Sequence, residues 1–229
     1  MSGWKATARA AWLLFLKDLR VELRTGEIVA SAALFAVLVA VLTSLAFYLD
    51  TGNSAALAPG VLWIAIAFSG VLAMSRNWNR ENELGAMRAL MLSPAPRAAI
   101  YLGKVMGAVV FLTAVEVALV PLVEMLFRAG LFSAAGPLGL LLVLGTVGFS
   151  AAGNLLAPMG SRTLGRDLML AAAFLPLVAP ALLCAVVGTR ELVNGAPFNE
   201  VAAWMRLLGA FDLVCLTVGL ALFEPLSWE

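Results

Sequence analysis

Apolar positions along this chain fall into long, nearly uncharged runs separated by short polar segments. Ile28 to Leu49 carries no charge and is bounded by Glu27 and Asp50. Ala55 to Ser75 is a second run, ending at Arg76. Ile100 to Phe127 is a third, interrupted by Glu116 and Glu124, and Ala129 to Ser161 is a fourth with no charge at all. Leu168 to Gly188 is the fifth, in which Pro176 and Pro180 are expected to kink a helix, and Val201 to Phe223 is the sixth, containing Arg206 and Asp212. A helix needs about 20 apolar residues to cross the hydrocarbon layer. The pattern therefore predicts an all-α, polytopic membrane bundle of six helices. The spans lie at about 28–49, 56–75, 100–127, 138–157, 168–188 and 203–223, within a single domain covering residues 1–229.

Ahead of the first run the period changes. Trp12, Phe15, Leu16, Leu19 and Leu23 recur at three- and four-residue spacing, while Lys17, Asp18, Arg20, Glu22 and Arg24 fill the other positions. This predicts an amphipathic helix over 5–26 that lies along the membrane surface, with its basic side chains at the headgroups. The segment has no small-residue cleavage site after a short apolar core, so it does not read as a cleaved signal peptide.

Composition turns the span pattern into a necessity. Of 229 residues, 62% are hydrophobic and only 13% charged, with a mean hydropathy of +0.98. A soluble domain is about half apolar and a quarter charged. A chain this small cannot hide such a surplus in one core. Net charge is +1, which offers no electrostatic reason for nucleic-acid binding; the placement of charge is more telling. Lysine and arginine favour cytoplasmic loops. With the N-terminus inside, the inner segments hold Lys5, Arg9, Lys17, Arg20, Arg24, Arg76, Arg80, Arg88, Arg97, Lys104, Arg162 and Arg166. Only Arg128, Arg190 and Arg206 fall outside. Both termini are thus expected in the cytoplasm.

The chemistry available is narrow. Histidine is absent, which removes the commonest general base and haem ligand together with every Ser-His or Cys-His arrangement. Cys184 and Cys215 sit in apolar runs and read as packing residues. Gly103-Lys104 is followed by Val105 and lacks the upstream glycine of a phosphate-binding loop, so nucleotide chemistry has to come from another chain. The chain is expected to be non-catalytic and to bind no metal or cofactor of its own.

The longest polar segment, 76–99, is predicted to be an inner loop. Leu84, Met87, Leu90 and Met91 share one helical face, and Ser93-Pro94-Ala95-Pro96 would end that short helix. An exposed methionine–leucine face suits a docking partner. Glu81, Glu83, Gly85, Met87, Arg88, Leu90, Met91, Pro94 and Pro96 are the candidate docking residues. Within the bilayer, Glu116 and Asp212 are candidate functional acids, since ionised groups there are costly. Gly103, Gly107, Gly145 and Gly148 are candidate helix-packing positions, and Trp63, Trp78, Trp204 and Tyr48 are expected at the membrane interfaces.

Glu83-Leu84-Gly85, the Ser93-Pro94-Ala95-Pro96 stretch and Gly103-Lys104 resemble the cytoplasmic loop of ABC-2 type permeases. Ala58-Pro59-Gly60-Val61-Leu62-Trp63, Leu144-Gly145-Thr146-Val147-Gly148-Phe149 and Leu175-Pro176-Leu177 through Pro180 follow in the order seen in the heme exporter protein B family, over residues 10 to 215. Ala108 and Val109 stand where that family often has a histidine and a tryptophan. The resemblance implies the permease subunit of a complex for haem delivery, or release of the holo-haem chaperone, in cytochrome c maturation. It implies a separate ATPase subunit that binds ATP, a haem-handling membrane subunit, a periplasmic haem chaperone, homodimeric or heteromeric assembly, and the bacterial inner membrane as location. Haem would be handled by the complex. An ion-coupled secondary transporter working through Glu116 and Asp212 is the competing reading; it would need no ATPase, and no inverted repeat is visible to favour it.

Overall fold

The structure, a computed structural model, describes residues 3–47, 54–83, 95–156 and 166–226. Seven α-helices account for nearly all of them: α1 Gly3–Thr25, α2 Glu27–Ala46, α3 Ser54–Glu83, α4 Arg97–Phe127, α5 Ala135–Leu156, α6 Arg166–Val193 and α7 Phe198–Leu226. A short 3-10 turn, Leu131–Ala134, precedes α5. Six helices, α2 to α7, are long and apolar enough to cross a membrane. α1 lies against the start of α4 and the end of α3.

The transmembrane helices run alternately up and down. Trp63 near the start of α3 bonds Thr189 near the end of α6, and Trp78 near the end of α3 bonds Asn154 near the end of α5. One end of the bundle, called here the α1 end, therefore gathers the starts of α2, α4 and α6 with the ends of α3, α5 and α7.

Several predicted boundaries move. The second span was expected to stop at residue 75, yet α3 continues for two more turns to Glu83. Asn77, Trp78 and Glu81 in that extension are buried and find partners within the bundle, so the helix has no reason to end where the charges begin. α5 starts at Ala135, with Gly136-Pro137 in its first turn, where a proline costs no hydrogen bond. α6 passes through Pro176 and Pro180 without a break.

Packing follows the rule for helices in lipid, where close approach of small residues replaces the hydrophobic effect. α2 is the clearest case. Ala32, Ala36 and Ala40 form its fully buried stripe, while Leu34, Leu38, Leu42 and Leu45 face outward. The core is layered along the bundle. Trp63, Ile66, Phe127, Leu138, Leu141 and Leu208 fill the end away from α1. Met74, Phe149, Phe174 and Cys215 fill the middle, where the Phe149 and Phe174 rings meet edge-on at 4.6 Å. Trp78, Ile100, Tyr101, Val105 and Phe223 close the α1 end.

Two connections are shaped locally. Gly26 joins α1 to α2 with φ +64°, a conformation costly for other residues, and makes the change of direction in one step. Glu124, read from the sequence only as an interruption of the third span, caps the connection at the far end. Its carboxylate accepts from the Gly130 amide at 3.1 Å and the Leu131 amide at 2.7 Å.

Candidate functional site

The densest polar feature among the described residues is a buried cluster at the α1 end, built by three helices. α4 contributes Lys104, two turns after Pro96. α1 contributes Asp18 and Lys17, and α3 contributes Asn77 and Glu81 from its extension. Lys104 Nζ donates to Asp18 Oδ2 at 2.8 Å, to Glu81 Oε1 at 2.9 Å and to Asn77 Oδ1 at 3.3 Å. Lys17 pairs with Asp18 at 3.1 Å and also with Glu81 Oε1. Two cations therefore face two carboxylates, and the cluster is neutral as a whole. Lys104, Asp18 and Glu81 are each almost wholly buried. The Lys104 ammonium also lies 5.8 Å from the centre of the Trp78 ring, whose Nε1 donates to Asn154 at 2.9 Å. Burial pulls the Lys17 ammonium down in pKa, but Asp18 and Glu81 outweigh it and leave the group raised above 10.5.

A second set of contacts continues this cluster along α1. Glu22 accepts the Val29 amide at 2.8 Å, so it caps the start of α2, and its other oxygen lies 3.5 Å from Arg80. Arg76 pairs with Glu27 at 3.1 Å. On the other side, Tyr101 donates its hydroxyl to the carbonyl oxygens of Ala151 and Cys215, which ties α4 to α5 and α7.

The segment between α3 and α4 leaves from Glu83 and re-enters at Arg97, and the cluster holds both of its arms, through Glu81 before it and Lys104 after it. The same contacts tie both arms to α1. α4 has 31 residues and extends about 46 Å at 1.5 Å per residue, enough to reach the far membrane face.

The predicted docking residues fare unequally. Glu81 was expected on the docking surface; it is instead buried and committed to Lys104 and Lys17, because the helix carries it inward. Pro96 is exposed immediately before α4. Glu83 is the last residue of α3, and its side chain lies outside the described residues. So do Gly85, Met87, Arg88, Leu90, Met91 and Pro94, together with the short helix expected there.

The glycines receive side chains from other helices. A Cβ on Gly103 would sit 2.9 Å from Leu14 Cβ and 3.0 Å from the Ala11 carbonyl of α1. Gly107 has only ordinary spacing to Asp18. Gly145 faces the Trp63 indole, and Gly148 faces Asp212 and the Phe211 ring. Trp63 and Trp78 are accordingly core residues, 2% and 1% exposed, and not the interfacial aromatics expected from their positions. Each has its N–H satisfied by another helix, which permits full burial.

The intramembrane acids are separate from the cluster and from each other. Glu116 of α4 is buried and accepts the Thr146 hydroxyl of α5. It is one of the residues lining a groove of about 370 Å³ between α4 and α5, with Val117, Pro121, Phe132, Leu142 and Val143. Asp212 of α7 is buried against Gly148, and its Oδ1 has no hydrogen-bond partner among the described residues. Asp18 and Glu22 were missed as functional residues because sequence spacing placed them on the wet side of α1. The available signal was their own register: Thr7, Ala11, Phe15, Asp18 and Glu22 follow one another at four- and three-residue intervals, and all are buried.

Six helices long and apolar enough to cross a membrane, with a further helix tied to one end of the bundle by buried ion pairs, define a polytopic helical membrane protein. The particular family follows from comparison. The chain belongs to the CcmB protein family, whose model matches residues 9–224. It is 28% identical to heme exporter protein B of Pseudomonas aeruginosa over 210 residues, 91% of this chain and 93% of that one. Heme exporter protein B of Bradyrhizobium diazoefficiens is 25% identical over 211 residues, covering 90% and 91%. With the Escherichia coli K12 protein of the same name the identity is 33% over 96 residues, 42% of this chain, and that match spans less than half of the relative, 44% of its length.

Proposed function

We propose that this chain is the permease subunit of an ATP-binding-cassette complex that serves haem delivery in cytochrome c maturation. ATP is hydrolysed by a separate subunit seated on the 76–99 segment at the inner face of the bacterial inner membrane. The complex also includes a haem-handling membrane protein and acts on a periplasmic haem chaperone. The relatives' name supports the haem part of this reading. The observation that carries the mechanical part is the Lys104 cluster, which grips both arms of the segment where an ATPase would push.

Closure of the ATPase on its nucleotide displaces the segment. Glu81 and Lys104 pass that displacement to α1 and to the long α4. At the other end of α4, Glu124 holds the connection to α5, so a shift of α4 moves the outer face directly. Haem is cargo of the complex, and this chain supplies no histidine to ligate its iron.

The test is purification of the tagged full chain from its own host. A nucleotide-binding subunit is expected to co-purify, with a haem-handling membrane protein. Replacing Gly85, Pro94 and Pro96 together by alanine is expected to reduce the recovered ATPase on the order of tenfold, as loss of an interface anchor does, while the variant remains monodisperse. Undiminished recovery of the ATPase with that variant would remove the segment from the docking surface.

A further inference from the structure

Every acidic side chain of α1 is turned inward. Asp18 and Glu22 are buried, 2% and 4% exposed, and held by Lys104, Lys17, Arg80 and the Val29 amide. Every basic side chain of α1 is exposed: Lys5, Arg9, Lys17, Arg20 and Arg24. Among the described residues, Lys5, Arg9, Arg20 and Arg24 form no ion pair. The helix therefore shows the outside a surface of one charge sign, although its sequence mixes both.

The spacing divides α1 into three faces. Thr7, Ala11, Phe15, Asp18 and Glu22 pack on the bundle. Trp12, Leu16, Leu19 and Leu23 form a flank, with Trp12 and Leu23 exposed. Lys5, Arg9, Arg20 and Arg24 lie opposite the packed face. On and beside that basic face, Leu13, Leu16, Lys17, Arg20 and Val21 line a shallow groove of about 320 Å³. An apolar floor beside a guanidinium, on a helix at the end of a membrane bundle, suits a molecule with an acyl chain and a phosphate.

We infer that the outer face of α1 binds anionic glycerophospholipid, with Arg20 and Arg24, one turn apart, on the phosphate headgroup, Leu13, Leu16 and Val21 along the upper acyl chain, and Arg9, three turns away, adding to the positive charge of the same face. Charge complementarity selects the occupant. A zwitterionic headgroup brings no net charge to this surface, whereas each basic side chain near an anionic membrane raises binding by about fivefold. The bound lipid also holds α1 against the bilayer, and so steadies the helix that carries Asp18 to Lys104.

The full-length protein in detergent is incubated with equimolar phosphatidylglycerol and phosphatidylcholine of the same acyl chains, and the retained lipid is read by native mass spectrometry. The wild type is expected to retain phosphatidylglycerol over phosphatidylcholine by roughly tenfold or more. Joint replacement of Arg9, Arg20 and Arg24 by glutamine is expected to bring the ratio near parity, with helical content and melting temperature kept, because none of the three touches the buried cluster. High salt is expected to lower the wild-type ratio in the same direction. Equal retention of the two lipids by the wild type, or an unchanged preference in the variant, overturns the inference. So does full displacement of the lipid by inorganic phosphate, which would mark a simple anion site.

Discussion

Lys104 shows how far a single residue's role depends on its neighbours. In the chain it is one more cation near the start of an apolar run; in the fold it is buried with carboxylates from two other helices. Removing one partner of a buried ion pair leaves the other charge without compensation, which costs about 3–5 kcal/mol. Lys104→Met is therefore expected to lower the melting temperature in detergent sharply. The double variant Lys104→Met, Glu81→Gln should recover part of the loss, because one stranded carboxylate becomes neutral. Tryptophan fluorescence on heating checks both, and a double variant no more stable than the single one would show that Glu81 is not stranded. The glycines make the same point from the other side. Gly145 and Gly148 were legible as packing positions, but Trp63, Phe211 and Asp212 as the side chains that fill them were not, since these come from α3 and α7.

At the scale of elements, α1 is the instructive case. Its helical period was legible in the sequence. Its orientation was not. The apolar stripe from Trp12 to Leu23 pointed to a membrane-facing side but not to the face that packs on the bundle, which takes Phe15 from that stripe together with two acids. A hydrophobic period reports which face avoids water, and lipid satisfies that as well as protein does. Gly103 decides how closely α1 can approach α4. Gly103→Leu should push α1 off through Leu14 and Ala11, and tryptic cleavage at Lys17 and Arg20 is expected to speed up by roughly tenfold as local opening becomes easier. Unchanged cleavage would mean that α1 is held without this contact. The Lys17 contact adds a pH dependence of known sign. Its pKa is raised in the fold, so its contribution is complete below 10.5 and is lost as pH rises past that value through the folded one.

For the whole molecule, alternating helix directions place the α1 end, with its cluster of charges, on one side of the membrane. The excess of lysine and arginine on that side makes the cytoplasm its expected location. In a background with Cys184 and Cys215 replaced, Asn194→Cys is expected to react with an impermeant thiol reagent on intact cells, and Arg24→Cys only after permeabilisation. The reverse pattern would invert the topology.

Number and order of the spans were determined by the sequence alone, because a run of more than 20 residues with so few charges, in so apolar a chain, has nowhere to go but lipid. The family followed equally from short motifs in fixed order. Only the tertiary structure decided that α3 extends to Glu83, that Glu81 turns inward, and that Lys104 and Asp18, 86 positions apart, meet. Burial of a charge depends on whether an opposite charge from a distant segment arrives beside it. Periodicity is a local property and cannot register such an arrival.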